Sequence, residues 1–187
     1  KDMKNQVEYR EGSQPDDDIA NNQDNNFVFG RGQSYGAEFF VKKAKGNFTG
    51  WIGYTLAWTN RKFPDLNHGK TFPAKYDRRH DFSIVLTYEL NKRWTFGATW
   101  VYATGNALTL PESRLLLNGP VDLGTFVTGQ SSPPQIYVEY GERNSYRMAA
   151  YHRLDISVTL KGKQKRRWQS SYNFSIFNVY NRYNPYL

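Results

Sequence analysis

No cysteine occurs among the 187 residues, which removes a disulfide framework, thiolate metal sites and a cysteine nucleophile together. No run of about 18 apolar residues occurs either, so the chain encodes no transmembrane helix. Negative mean hydropathy does not argue against a membrane, because strands that alternate apolar and polar residues average to an unremarkable value. No apolar signal core follows Lys1, and the expectation is a mature chain or a piece of a longer one. Phosphate loops, a GxGxxG turn after a strand and His/carboxylate metal spacings are also absent, and no cofactor is implied. Apolar residues reach only 39% while aromatics reach 17%. That pairing disfavours an all-helical protein and fits strands in which every second residue faces water.

What is present is alternation. Residues 81–102 read DFSIVLTYELNKRWTFGATWVY. Phe82, Ile84, Leu86, Tyr88 and Leu90 share one face, and Trp94, Phe96, Ala98, Trp100 and Tyr102 continue it after a polar turn. Asp81, Ser83, Thr87, Thr95, Gly97 and Thr99 take the other face, with Val85 an exception. Period-two patterning on both sides of a short turn predicts a hairpin. The apolar face is long, its ends are aromatic, and the opposite face is small and polar. This is the inside-out pattern of an outer-membrane barrel, with aromatic girdles at both interfaces.

The same logic divides the whole chain. Residues 1–32 are polar, with Gly12, Pro15 and Asp16-Asp17-Asp18, and are expected to form a loop. The acid run is no calcium site, since consecutive side chains diverge. A first hairpin is expected over 33–60, turning at Gly46-Asn47. A loop follows over 61–79, a second hairpin over 80–104, and a long loop over 105–150 with a short strand near 136–140. A third hairpin occupies 151–180, and 181–187 starts another loop. Tight turns and long connections thus alternate, with all tight turns on one side. Outer-membrane barrels place short turns in the periplasm and long loops outside. The expected fold is all-β: an antiparallel transmembrane wall of about six strands and three hairpins. An open sheet of that size leaves edges unpaired in lipid, and the small inner face suits a wide lumen. Both point to a segment of a barrel of ~22 strands. Asp81-Phe-Ser-Ile-Val and Arg93-Trp94 echo Asp155-Ile-Ser-Val-Thr and Arg167-Trp168 at one common offset, which predicts two equivalent hairpins with an Asp at each outer rim.

Arg78-Arg79-His80-Asp81 and His152-Arg153-Leu154-Asp155 are the densest polar groups. Base–orienter pairs with Ser83 or Ser157 as nucleophile are conceivable. Adjacent strand residues point to opposite faces, however, so the expectation is no enzyme. Arg–Asp pairing between neighbouring strands at the rim is the reading adopted. Tyr76, Arg78, Arg79, His80, His152 and Arg153 are the candidate ligand contacts there, while His68 is a lone loop histidine. Tyr35, Trp58, Trp94, Trp100, Tyr102 and Trp168 are the candidate interface aromatics. The basic turn with Lys161, Lys163, Lys165, Arg166 and Arg167 lies apart from the aromatics, so no nucleic-acid partner is expected. Outer-membrane lipid is. A soluble β-sandwich that binds glycans and a small barrel enzyme are the alternatives.

Four stretches carry a resemblance: GRGQSYGAEFF (30–40), FPAKYDRRHDFSIVLTYELNKRWTFGATWVYATG (72–105), YHRLDISVTL (151–160) and SIFNVYNRYNPY (175–186). In order and spacing the chain resembles the C-terminal barrel portion of TonB-dependent outer-membrane receptors, particularly those of Bacteroidetes. The resemblance implies a bacterial outer-membrane location and uptake of a scarce solute of siderophore, cobalamin, glycan or peptide class. It also implies a plug domain, coupling to TonB through that plug, and a surface lipoprotein lid as a further partner. On this reading the plug and the last strands lie outside the 187 residues.

Overall fold

Phe82 stands opposite Tyr102, Ile84 opposite Trp100, Leu86 opposite Ala98 and Tyr88 opposite Phe96, so the alternation does build one two-faced hairpin. A computed structural model describes residues 1–10, 26–117, 135–164 and 167–185. Twelve strands run in chain order: β1 (Asp2–Tyr9), β2 (Phe27–Lys43), β3 (Phe48–Lys62), β4 (Phe72–Pro73), β5 (His80–Glu89) and β6 (Trp94–Ala103), then β7 (Ala107–Leu108), β8 (Pro111–Leu117), β9 (Gln135–Tyr140), β10 (Tyr146–Arg147), β11 (Tyr151–Lys161) and β12 (Ser171–Ile176). Between β3 and β4 lies a turn of 3-10 helix, Asn67–Gly69. The protein is all-β and its strand pairs are antiparallel.

Eight strands form the main sheet in the order β1-β2-β3-β5-β6-β11-β12, with β4 added beside β3. Two small ribbons, β7–β10 and β8–β9, lie in the long connection. Register carries the apolar face from strand to strand. Val41 faces Ile52, Ile52 faces Ile84, Ile84 faces Trp100 and Trp100 faces Leu154. Nearer the tight turns the row Phe48, Tyr88, Phe96, Val158, Phe174 does the same. Trp94 to Tyr102 spans about 26 Å at ~3.3 Å per residue, close to the ~25 Å apolar band of outer-membrane barrels. No second layer covers this face among the described residues: Val41 is 68% exposed and Phe174 is 66% exposed.

The turn at Gly46-Asn47 is present, and Gly46 takes φ 95°, a conformation that favours glycine. Four differences from the expectation have physical causes. Residues 2–9 are a strand, not loop: β1 pairs with residues 27–33 of a β2 that starts earlier than expected. Asn5, at φ 54°, sits at the register break between Met3 and Gln6, so a bulge hides the alternation. Residues 61–79 and 105–150 likewise hold more structure than expected: β4 in the first, and β7, β8 and β10 in the second beside β9, which is the short strand expected near 136–140. The echo does not mark equal depth. Asp81 faces Ala103 while Asp155 faces Thr99, so Asp155 lies about 13 Å further along the sheet. The acid run at 16–18, the prolines at 133–134, and Lys165 and Arg166 fall outside the described residues.

The buried side chains gather at one end. Val28, Phe63, Leu66 and Phe72 form one cluster, and the Phe63 and Phe72 rings stack with centroids 6.0 Å apart. A Cβ at Gly30 would run into the Phe63 ring, which explains glycine there. This cap sits where β2 and β3 extend past the last β3–β5 pair, Leu56 with His80.

Candidate functional site

Two polar devices organise the loop end. In the first, the connection after β4 turns at Asp77, whose side chain is 1% exposed. One carboxylate oxygen accepts the Thr59 amide at 2.7 Å. The other accepts Arg147 at 2.6 Å, with Arg79 at 3.5 Å. Arg147 also donates to the carbonyls of Asp77 and Gly105. A buried carboxylate is tolerable only when so compensated, and these bonds tie β3, the connection after β4 and the β10 ribbon together. Glu8 of β1 extends the network by bridging Arg61 at 3.0 Å and Arg143 at 3.1 Å. Lys70 bonds Glu142 at 2.7 Å, and that hydrogen bond and charge lower the Glu142 pKa.

In the second device, asparagine side chains act as stand-in peptides. Asn184 accepts from the His152 amide and donates to the His152 carbonyl, both at 3.0 Å. Asn178 makes the same two-point contact with Arg182, at 3.1 and 3.0 Å. Asn178 and Asn181 take φ of 52° and 50°, tolerated best by Asn and Gly. Asp155 accepts the Asn178 amide at 2.9 Å. The segment after β12 therefore folds back along the start of β11.

Between these devices lies a cavity of about 610 Å³. Arg78, Asn106, Tyr151, Asn178, Arg182 and Tyr183 supply its polar and aromatic lining. Tyr151 belongs to the polar face, because its register partner Ala103 also pairs with Asp81.

The six candidate ligand contacts do not form one group. Arg78 reaches Asp81 at 4.0 Å and lines the cavity. Arg79 packs against Asp77 and lies 5.1 Å from the Trp58 ring centroid. Arg153 bonds Asp155 at 2.9 Å. The Arg–Asp pairs made by these three candidates thus run along their own stretch of chain, not between neighbouring strands as the sequence suggests; the long-range pair is Arg147 with Asp77. His80 and His152 share the apolar face: His80 stacks on Tyr54 and bonds its hydroxyl at 2.9 Å. His152 stacks on Tyr102 and bonds the Tyr180 hydroxyl at 2.9 Å. Asp81 is on the opposite face from His80, as adjacent strand residues must be. Tyr76 is 72% exposed under the Lys75 ammonium.

The interface aromatics divide between the two ends. Tyr35 and Trp58 stack with centroids 5.4 Å apart, one row above the last β3–β5 pair. Trp100 and Tyr102 stack at 6.1 Å, and Trp100 donates to the Tyr180 hydroxyl at 3.2 Å. Trp94 stacks with Phe96 at the tight-turn end, where Trp168 is 83% exposed. Sequence reasoning missed Asp77, Glu8, Arg147 and Arg182. The one available signal was a lone carboxylate set among Lys75, Arg78 and Arg79. No family model, no curated protein and no solved structure matches the chain.

Proposed function

We propose that this chain is a wall segment of a TonB-dependent outer-membrane receptor, which takes up a scarce solute through a plugged barrel in the bacterial outer membrane. The observation that carries the reading is the apolar face. It is continuous in register across β2, β3, β5, β6, β11 and β12, yet the described residues lay no second layer over it. Burying such a face in water would need a partner sheet, and the described residues supply none. Lipid would cover it without one.

The edges fit the same reading. On the side away from β3, residues 35–43 of β2 lack a strand partner among the described residues, and so does the outer side of β12. In hydrocarbon each unpaired backbone group costs several kcal/mol, so further strands of the same receptor are the partners proposed for both edges. The plug, TonB and a surface lipoprotein lid complete the proposed assembly. The intact natural protein is expected to require detergent and to have a mass of ~80–100 kDa, as a barrel of ~22 strands with a plug demands. A natural protein of 21.8 kDa that stays monomeric without detergent would contradict the proposal.

A further inference from the structure

The arginines around the loop end differ in how their charge is met. Arg61 and Arg143 share Glu8, Arg147 and Arg79 share Asp77, and Arg153 has Asp155. Arg78 and Arg182 stand apart. Arg78 reaches its carboxylate only at 4.0 Å, with its side chain 50% exposed, and its Nε bond to Asn106 is a long 3.5 Å. Arg182 donates through Nη2 to the Ala150 carbonyl. It makes no ion pair among the described residues, and its Nε, like those of Arg61 and Arg79, is enclosed with no partner. An enclosed donor without an acceptor carries a real desolvation cost.

These two arginines line the same 610 Å³ cavity, and no Asp or Glu lines it. Asn106, Asn178 and Asn184 add neutral hydrogen-bonding groups, while Tyr151 and Tyr183 add ring surface. The Asn178 amide is fixed by Arg182 and Asn184 by His152, so that wall is held in place before any ligand arrives. Small-molecule pockets run from about 300 to 1,000 Å³, with a few placed polar groups. Guanidinium forks match the two oxygens of a carboxylate and equally bind sulfate or phosphate. We infer that this cavity is a binding site for a hydroxyl-rich small molecule carrying an oxyanion group. Arg78 and Arg182 hold the anion, the asparagines meet hydroxyls and the tyrosine rings support the ring of the ligand. The site would give the proposed receptor an acidic solute. The binding itself needs no bilayer, so it stands or falls separately from the wall.

Titration calorimetry on the purified full-length protein in detergent tests it, with digalacturonate against its neutral counterpart α-1,4-galactobiose. Digalacturonate is expected to bind at least about tenfold tighter than galactobiose, and more weakly as salt rises. Arg78→Gln is expected to weaken digalacturonate about tenfold or more, as for loss of a charged hydrogen bond, and to leave galactobiose unchanged. Arg182→Gln should do the same. Arg78 is half exposed and has no part in the Asn178 turn, so its variant keeps the test sound if the Arg182 variant fails to fold. Lys75→Gln, outside the cavity, should change nothing. Competition by inorganic sulfate or phosphate would support the same oxyanion chemistry and assign a tetrahedral preference. Lack of competition beside tight digalacturonate binding would support a carboxylate. Equal binding of the two sugars, no binding of any probe, or an Arg78→Gln variant with unchanged affinity for digalacturonate would overturn it.

Discussion

At the loop end Phe63 and Leu66 are fully buried and Asp77 is 1% exposed, while in the wall Phe39 is 60% exposed and Ile176 is 58% exposed. The same short chain thus contains a region that buries its own apolar groups and one that lays them out in a single layer. The cap behaves as a small soluble core: rings stack, a carboxylate is met by two arginines, and connections close over it. In the wall, strand pairing does the organising and leaves the apolar side chains for something else to cover. The difference teaches that hydrophobic burial is local here. The cap buries its own apolar side chains, and the sheet leaves its apolar face uncovered among the described residues.

The largest effects are expected in the cap. Asp77→Ala strands Arg147 and the Thr59 amide and should cost about 3–5 kcal/mol, as for other broken buried ion pairs. Phe63→Ala should cost a similar ~3–5 kcal/mol. Protease susceptibility of the connection between β4 and β5 is the readout, and it should rise equally in detergent and in bilayers. The wall should respond to its medium instead. Ile84→Arg is expected to cost about 2–4 kcal/mol in a bilayer, whereas Thr87→Arg on the other face should cost close to nothing. Reversible unfolding from vesicles measures both, and equal costs would erase the distinction between the faces. Smaller still, Asn184→Ala removes two hydrogen bonds to the His152 backbone. A loss of about 1–2 kcal/mol in local amide protection is expected.

The smallest expected effect is electrostatic. The pKa of exposed Glu142 is lowered from its ordinary 4.5, first by the Lys70 hydrogen bond and then by its charge. A lowered folded-state pKa contributes stability that is present above the unfolded value and fades as pH falls through the folded one. Removing the partner with Lys70→Met should therefore flatten a weak acid-side loss below that ordinary value. High salt should mask the difference. Amide exchange at the β10 ribbon as a function of pH reads it.

The two-faced antiparallel sheet was legible from residues 81–102 because alternation is a local signal and register merely extends it. The cap was not. Residues 2–9 look like polar loop, since a bulge at Asn5 breaks the period and the pairing partner lies beyond residues 11–25. Asp77 sits in a run of cations, and nothing local says that Arg147, far along the chain, is the one that meets it. The faces of His80 and His152 were readable by counting back from Phe82 and Leu154, but the clustering of Arg, His and Asp suggested one shared site. The echo of Asp81 in Asp155 failed for a related reason: similar residues recur without fixing how deep a strand sits. Arg182 belongs to a turn held by asparagine side chains, for which periodicity gives no signal.

Because the sequence has no cysteine, single cysteines introduced along one strand can each carry a nitroxide without background. Labels at Ile84, Val85, Leu86 and Thr87, with Trp100 and Ile156 as neighbours in register, would be read in reconstituted bilayers for collisions with oxygen and with a polar nickel chelate. The account predicts oxygen-rich, chelate-poor signals at Ile84, Leu86, Trp100 and Ile156, with the reverse at Val85 and Thr87. Signals that show no alternation, or chelate access at Ile84 equal to that at Thr87, would contradict it.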